Sequence, residues 1–166
     1  MHRIGERVVY GANGVMEIVD IREESIGDIS RCYYVLSSVC LSSNSLTFVP
    51  CDNERLVEAM RPLLTKDEAT ALIKRMGDIS PIEWIEASRA RADYFKRLME
   101  SGDREAMIGM IAAIDESAKR REAIGKKNFI TDESAKQKAE QLLRSELALV
   151  LETSVEEIAL LIKENK

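Results

Sequence analysis

Arg7-Val8-Val9-Tyr10-Gly11-Ala12-Asn13-Gly14-Val15-Met16-Glu17-Ile18-Val19-Asp20-Ile21 decides how the first part of the chain folds. The short run Arg7 to Tyr10 ends at two glycines and an asparagine, residue types that take the positive φ of a turn or bulge. Val15 to Ile21 mixes apolar and acidic positions as a half-buried strand does. Further out, Arg31 to Cys40 is rich in Tyr and Val and lies between the turn-like Ile26-Gly27-Asp28 and Ser42-Ser43-Asn44. Leu46 to Val49 is a further strand, ended by Pro50, and Glu23 and Glu24 fall in the turn that follows the second strand. Four or five short strands between residues 4 and 50 predict a small curled antiparallel barrel.

The pattern switches to helical near Pro62. Thr65 and Glu68 have capping-box spacing and open a helix ending near Gly77. Ser80-Pro81-Ile82-Glu83 places an N-cap, a first-turn proline and a third-position glutamate in order, which predicts a second helix from there to Ser101, with Gly102 as its C-cap. Asp103 caps a third helix ending at Gly125, Thr131 starts a fourth lasting to about Leu151, and either Thr153 with Glu156 or Ser154 with Glu157 starts a short fifth. Met107, Met110, Ile111, Ile114 and Ala118 follow helical spacing, as do Ala135, Ala139, Leu142, Leu143 and Val150. The expected fold class is α+β: a β module over residues 1–62, then an all-α antiparallel bundle over 63–166.

Composition narrows the function. Hydrophobic content of 45% with 32% charged residues fits a folded chain. No apolar run approaches the ~20 residues that span a bilayer, and Glu6 and Arg7 interrupt any signal-peptide core, so a cytoplasmic protein without membrane contact is expected. The single histidine, His2, argues against a His-based triad or metal site, and Cys32, Cys40 and Cys51 read as small hydrophobes in or beside strands. Gly11-Ala12-Asn13-Gly14 lacks the Lys-Ser/Thr pair of a phosphate cradle. No enzyme, metal, cofactor or small-molecule substrate is expected. Net charge is −5, yet residues 117–127 hold Lys119, Arg120, Arg121, Lys126 and Lys127 against Glu122, a local balance of +4. Such a patch binds phosphates when the fold keeps acidic segments away.

Trp84, the single tryptophan, falls on the apolar stripe Ile85, Ser88, Ala92, Phe95, Met99 of the expected second helix. It has two readings: a core or staple residue, or an aromatic that stacks on a base or wedges into DNA. Arg89 and Lys96, seven residues apart, share a neighbouring face suited to a phosphate backbone, with Arg91 on the far side of the stripe and Glu86, Asp93 and Glu100 interspersed.

In order along the chain, Ile4-Gly5-Glu6-Arg7-Val8-Val9-Tyr10, Gly14-Val15, Tyr33-Tyr34-Val35-Leu36, Val49-Pro50 with Asp52-Asn53, Arg61-Pro62-Leu63, Trp84, Ser101-Gly102-Asp103 and Ser145-Glu146-Leu147-Ala148-Leu149 resemble the CarD/CdnL family of bacterial transcription factors. The amino-terminal part is also similar to the RNA polymerase-interacting domain of the transcription-repair coupling factor. The resemblance implies a Tudor-like module that binds the RNA polymerase β subunit through an exposed strand, here Leu46, Phe48 and Val49 with Glu24 nearby. It implies a helical domain that touches promoter DNA near the upstream edge of the transcription bubble and stabilises the open complex without sequence-specific readout. The residues expected at the DNA are Trp84, Arg89, Arg91, Lys96, Lys119, Arg120, Lys126 and Lys127. Where the family commonly has proline after the tyrosine and histidine before the glycine, this chain has Gly11 and Asn13, and basic residues near the polymerase-binding edge are not evident. The alternative is a polymerase adaptor whose bundle binds protein and never DNA.

Overall fold

The computed structural model describes residues 2–26, 28–40 and 45–165, without the side chain of Ile26. The expected Ser42-Ser43-Asn44 turn and Gly27 lie outside the described residues. The fold is α+β, and the chain divides into two compact units, Met1–Leu63 and Leu64–Lys166.

The first unit is a five-stranded antiparallel sheet: β1 (Arg7–Tyr10), β2 (Val15–Ile26), β3 (Ile29–Ser38), β4 (Leu46–Pro50) and β5 (Met60–Pro62), ordered β4-β3-β2-β1-β5. Between β1 and β2 the chain makes a single 3₁₀ turn over Gly11–Asn13. Gly11 and Gly14 take φ of 48° and 75°, which a side chain resists, whereas Asn13 stays outside that region. The register shifts between Ile18 and Asp20, so Val19 is a bulge residue that stands exposed and bends β2. Because of this bend, Val49 on one edge strand and Met60 on the other share a core with Val8, Met16, Ile18, Tyr34 and Leu36. Only a curled sheet brings its two edges to one core. A short helix α1 (Glu54–Glu58), capped by the Asn53 side chain at Leu56 N–H, adds Leu56 and Val57 to it.

The end of β2 differs from the sequence reading, and α1 and β5 escape it. β2 does not end at Ile21: Arg22, Glu23, Glu24 and Ser25 continue it, pairing with Tyr33, Cys32, Arg31 and Ser30. Glu23 and Glu24 therefore belong to a strand. A strand with one solvated face accepts polar residues there, so their polarity is no turn signal. β5 and α1 are too short to show periodicity.

Among the described residues the second unit has five α-helices. α2 (Lys66–Arg75) carries the Thr65/Glu68 capping box and runs into a 3₁₀ turn over Met76–Asp78. α3 (Ser88–Ser101) ends at Gly102, which takes φ 65°. α4 (Arg104–Glu122) starts at Asp103, whose side chain accepts the Ala106 N–H. α5 (Ile130–Leu151) follows, and α6 (Val155–Glu164) opens with the Ser154/Glu157 box, which decides between the two expected caps. Phe95 and Met99 from α3, Met107, Met110 and Ile114 from α4, Leu143 and Leu147 from α5, and Ile158 from α6 are buried.

The second expected helix begins seven residues later than Ser80-Pro81 suggests. Ile82 N–H donates to the Gly109 carbonyl of α4 across 3.1 Å, and a Cβ on Gly109 would lie 2.9 Å from the Ser80 carbonyl oxygen. The segment 80–82 thus lies against α4 at a point only glycine allows, and its backbone groups are taken by tertiary partners instead of a helical turn.

Candidate docking edge and nucleic-acid surface

β4 is an edge of the sheet, and its ladder phase decides what that edge offers. Cys51 N–H donates to the Cys32 carbonyl across 2.9 Å, so Cys51 and Cys32 form a hydrogen-bonded pair. Counting back in twos along the register, Val49 and Thr47 exchange hydrogen bonds with β3, whereas Phe48 and Leu46 turn N–H and C=O away from it. The same two residues carry exposed apolar side chains, Phe48 at 42% and Leu46 at 47%. Unpaired main chain and apolar side chains coincide there, the arrangement a further strand can pair with.

Val49 does not belong to that surface. Its side chain is fully buried in the curled core, and its peptide groups face β3. Glu24 stands two residues beyond Arg22 on the outer face of β2 and binds Arg22 Nε at 2.8 Å. The Arg22 guanidinium also lies 5.3 Å from the Phe48 ring centroid, and Tyr33 meets Phe48 edge to face at 6.2 Å. Arg31 Nε bonds Asp52 at 3.1 Å. Basic groups therefore do stand by this edge, balanced by Asp20, Glu24 and Asp52. Sequence reading misses Arg22 because it ends β2 too early, and with β2 cut short it has nothing to set Arg31 and Tyr33 against; the signal that finds all three is the cross-strand register, which sets Arg22 opposite Tyr33 and Glu24 opposite Arg31.

In the second unit the expected DNA residues divide. Arg89 and Lys96 are exposed on α3, Lys119 and Arg120 on the last turn of α4, and Lys126 and Lys127 in the loop that follows. That loop is held in place: Lys126 N–H donates to the Arg121 carbonyl at 2.9 Å, and Arg121 Nε donates to the Lys127 carbonyl at 2.8 Å. The Arg121 guanidinium also lies 3.9 Å over the Phe129 ring. Arg121 and Phe129 thus fix the two lysines, a role no local pattern announces.

Arg91 cannot contact DNA. It is 1% exposed and every nitrogen of its guanidinium is engaged. Nε and Nη2 bond the Asp132 carboxylate at 3.2 and 2.9 Å, and Nη1 bonds the carbonyls of Ile85 and Glu86 at 2.7 and 3.0 Å. Asp132 sits in the first turn of α5, where the helix dipole also favours a carboxylate. The buried face of α3 runs through Arg91, Phe95 and Met99, and Ser88 and Ala92 of the expected stripe stand exposed.

Trp84 lies in the extended segment before α3, half-buried, with the Arg91 guanidinium carbon 4.4 Å from its ring centroid and Phe95 edge-on at 6.3 Å. Arg91 also stands 4.9 Å over Phe129. One buried cation thereby ties the tryptophan to the start of α5.

Among the described residues no cluster of His, Cys, Asp and Glu has the makeup of a metal site, and no helix is long and apolar enough to cross a membrane.

A curled five-stranded sheet with an apolar edge offers a surface that a further strand can extend. Residues 2–64 match the CarD-like/TRCF RID domain family, a match that supports an RNA polymerase-interacting domain in the first unit. The match ends where the helical unit begins. No curated protein matches the chain.

Proposed function

We propose that this chain is a CarD-like transcription regulator of the bacterial cytoplasm. Its first unit binds the RNA polymerase β subunit through the outer edge of β4, and its helical unit stabilises the open promoter complex by contacts with promoter DNA near the upstream edge of the bubble. The family match over residues 2–64 carries the reading, and the outward peptide groups of Leu46 and Phe48 supply its mechanism, strand addition to a sheet edge.

The DNA half rests on Lys119, Arg120, Lys126 and Lys127, with Arg89 and Lys96. These cations suit phosphates, which position a protein without reading sequence. Holding the polymerase makes such weak contacts intramolecular, which lets a chain of net charge −5 act on DNA. Trp84 is the residue suited to a wedge, and Arg91 is what holds it.

Binding of the full chain to RNA polymerase tests the first half. Phe48→Ala removes an anchor and is expected to weaken binding about tenfold. Phe48→Pro removes the outward N–H as well, and a net hydrogen bond adds roughly two- to tenfold. Proline and alanine of equal effect would show that main-chain pairing plays no part; no effect from either removes β4 as the dock.

For the second half, Lys126→Ala with Lys127→Ala is expected to weaken polymerase-dependent binding of fork DNA and to lower the slope of log K against log salt by about one per lost phosphate contact. Trp84→Ala is expected to shorten open-complex lifetime while polymerase binding persists. An unchanged slope and lifetime would instead support the adaptor reading, in which the helical unit meets protein alone.

A further inference from the structure

Cys32 on β3 and Cys51, the residue after β4, face each other across the ladder with their Sγ atoms 2.8 Å apart. The Cys51 N–H to Cys32 carbonyl bond fixes their backbones as a directly opposed pair. Such pairs hold Cα atoms about 5.5 Å apart, inside the range of about 4.4–6.8 Å that a disulfide spans. Arg31 and Asp52, the next residues along each segment, are joined by an ion pair at 3.1 Å. The two strand segments are thus already held at bonding separation.

We propose that Cys32 and Cys51 are a modification site: a reversible cross-strand disulfide, formed by a peroxide, that clamps the end of edge strand β4 to β3. The Cys32 thiolate attacks one peroxide oxygen. The O–O bond breaks, the released hydroxide takes up the proton Cys32 lost to leave as water, and Cys32 becomes a sulfenic acid. The Cys51 sulfur then attacks the sulfenic sulfur; the S–S bond forms as the S–O bond breaks, and the departing hydroxide carries off the Cys51 proton as a second water. Two thiols lose two electrons and two protons, and the peroxide accepts both to become two waters. Burial, followed by the hydrogen bond to Cys32, pushes the Cys51 thiol up to about 11, so Cys51 enters protonated and the first attack falls to Cys32; Cys51 gives up its proton as it attacks in the second step. The inference stands independently of what the β4 edge binds.

The test uses the full chain carrying Cys40→Ser, which leaves only the two thiols in question, with hydrogen peroxide as the oxidant. Expected are a mass lower by two hydrogens, loss of both maleimide-reactive thiols, a cross-linked peptide joining Cys32 to Cys51, and reversal of all three by dithiothreitol. Adding Cys51→Ser should stop the reaction at a sulfenic acid that dimedone traps. Peptide mapping of the oxidised wild-type chain reads the same linkage should Cys40→Ser fold poorly. Retention of both thiols, oxygen addition in place of hydrogen loss, or linkage only between molecules overturns the proposal.

Discussion

Arg91→Ala is expected to destabilise the helical unit by about 3–5 kcal/mol, the range for breaking a buried ion pair from one side. The truncation leaves the Asp132 carboxylate, itself buried, without its guanidinium. It also orphans the Ile85 and Glu86 carbonyls and removes the cation that stands over the Trp84 and Phe129 rings. Small domains are stable by roughly 5–15 kcal/mol, so this single change takes a large share. Urea unfolding followed by Trp84 fluorescence measures it, since Trp84 is the single tryptophan and packs on the mutated residue. Arg91→Met with Asp132→Leu should recover much of the loss, because a buried pair replaced by apolar groups is often nearly neutral. A loss under about 1 kcal/mol for Arg91→Ala, against the cost of an uncompensated buried charge, would mean that Asp132 finds another partner.

The same cluster shows why part of the site is hidden from the sequence. Arg91 sits among Arg89, Lys96 and Arg97 with nothing local to set it apart; its counter-ion, Asp132, is 41 residues away. Ser80-Pro81-Ile82-Glu83 has every local feature of a helix start, yet the tertiary contact of 80–82 with Gly109 and the capture of two carbonyls by Arg91 prevail over it. Local caps without such competition, at Thr65, Gly102 and Asp103, are where the sequence places them, and Ser154 is one of the two it offers for the last helix. The β hairpin from Arg7 to Ile21 is equally legible, because glycine punctuation and strand composition agree there.

For the docking edge the difficulty is different. Leu46 and Phe48 are recognisable as strand residues, but which of two neighbouring residues faces the core depends on a register that only the folded sheet fixes. Phe48 and Val49 are both apolar neighbours, yet one is 42% exposed and the other 0%. That basic residues are not evident at this edge has the same root: ending β2 at Ile21 leaves Glu23 and Glu24 visible and hides Arg22, whose partner Tyr33 lies across the ladder. Once the register is in place, the edge is mixed in charge and carries an aromatic pair, a surface on which main-chain pairing and an apolar anchor act together and charge sets orientation.

Glu146 presents the second large effect. It is buried within α5 and accepts from Arg104 through Nε at 2.9 Å and Nη2 at 2.6 Å, while the Leu64 N–H donates to it at 3.1 Å. Arg104 is the first residue of α4, where the helix dipole disfavours a cation. The Glu146 hydrogen bonds outweigh that and the cost of burial, and hold the Arg104 guanidinium above its ordinary pKa. Glu146→Ala is therefore expected to cost about 3 kcal/mol or more, from a half-buried guanidinium deprived of its carboxylate and an orphaned Leu64 N–H. Glu146→Gln should also destabilise, by about 2 kcal/mol, because one carboxamide oxygen cannot replace two carboxylate oxygens and its NH₂ faces a donor. Arg104→Met combined with Glu146→Leu removes both charges together and leaves the Leu64 donor unmet, so it should fall below Glu146→Ala in cost, in the range of about 1–3 kcal/mol. Urea denaturation of the four chains separates these terms. If Gln and Ala were equal and the double variant no better than either, the stabilisation at Glu146 would come from packing, and the ion pair with Arg104 would contribute nothing beyond its volume.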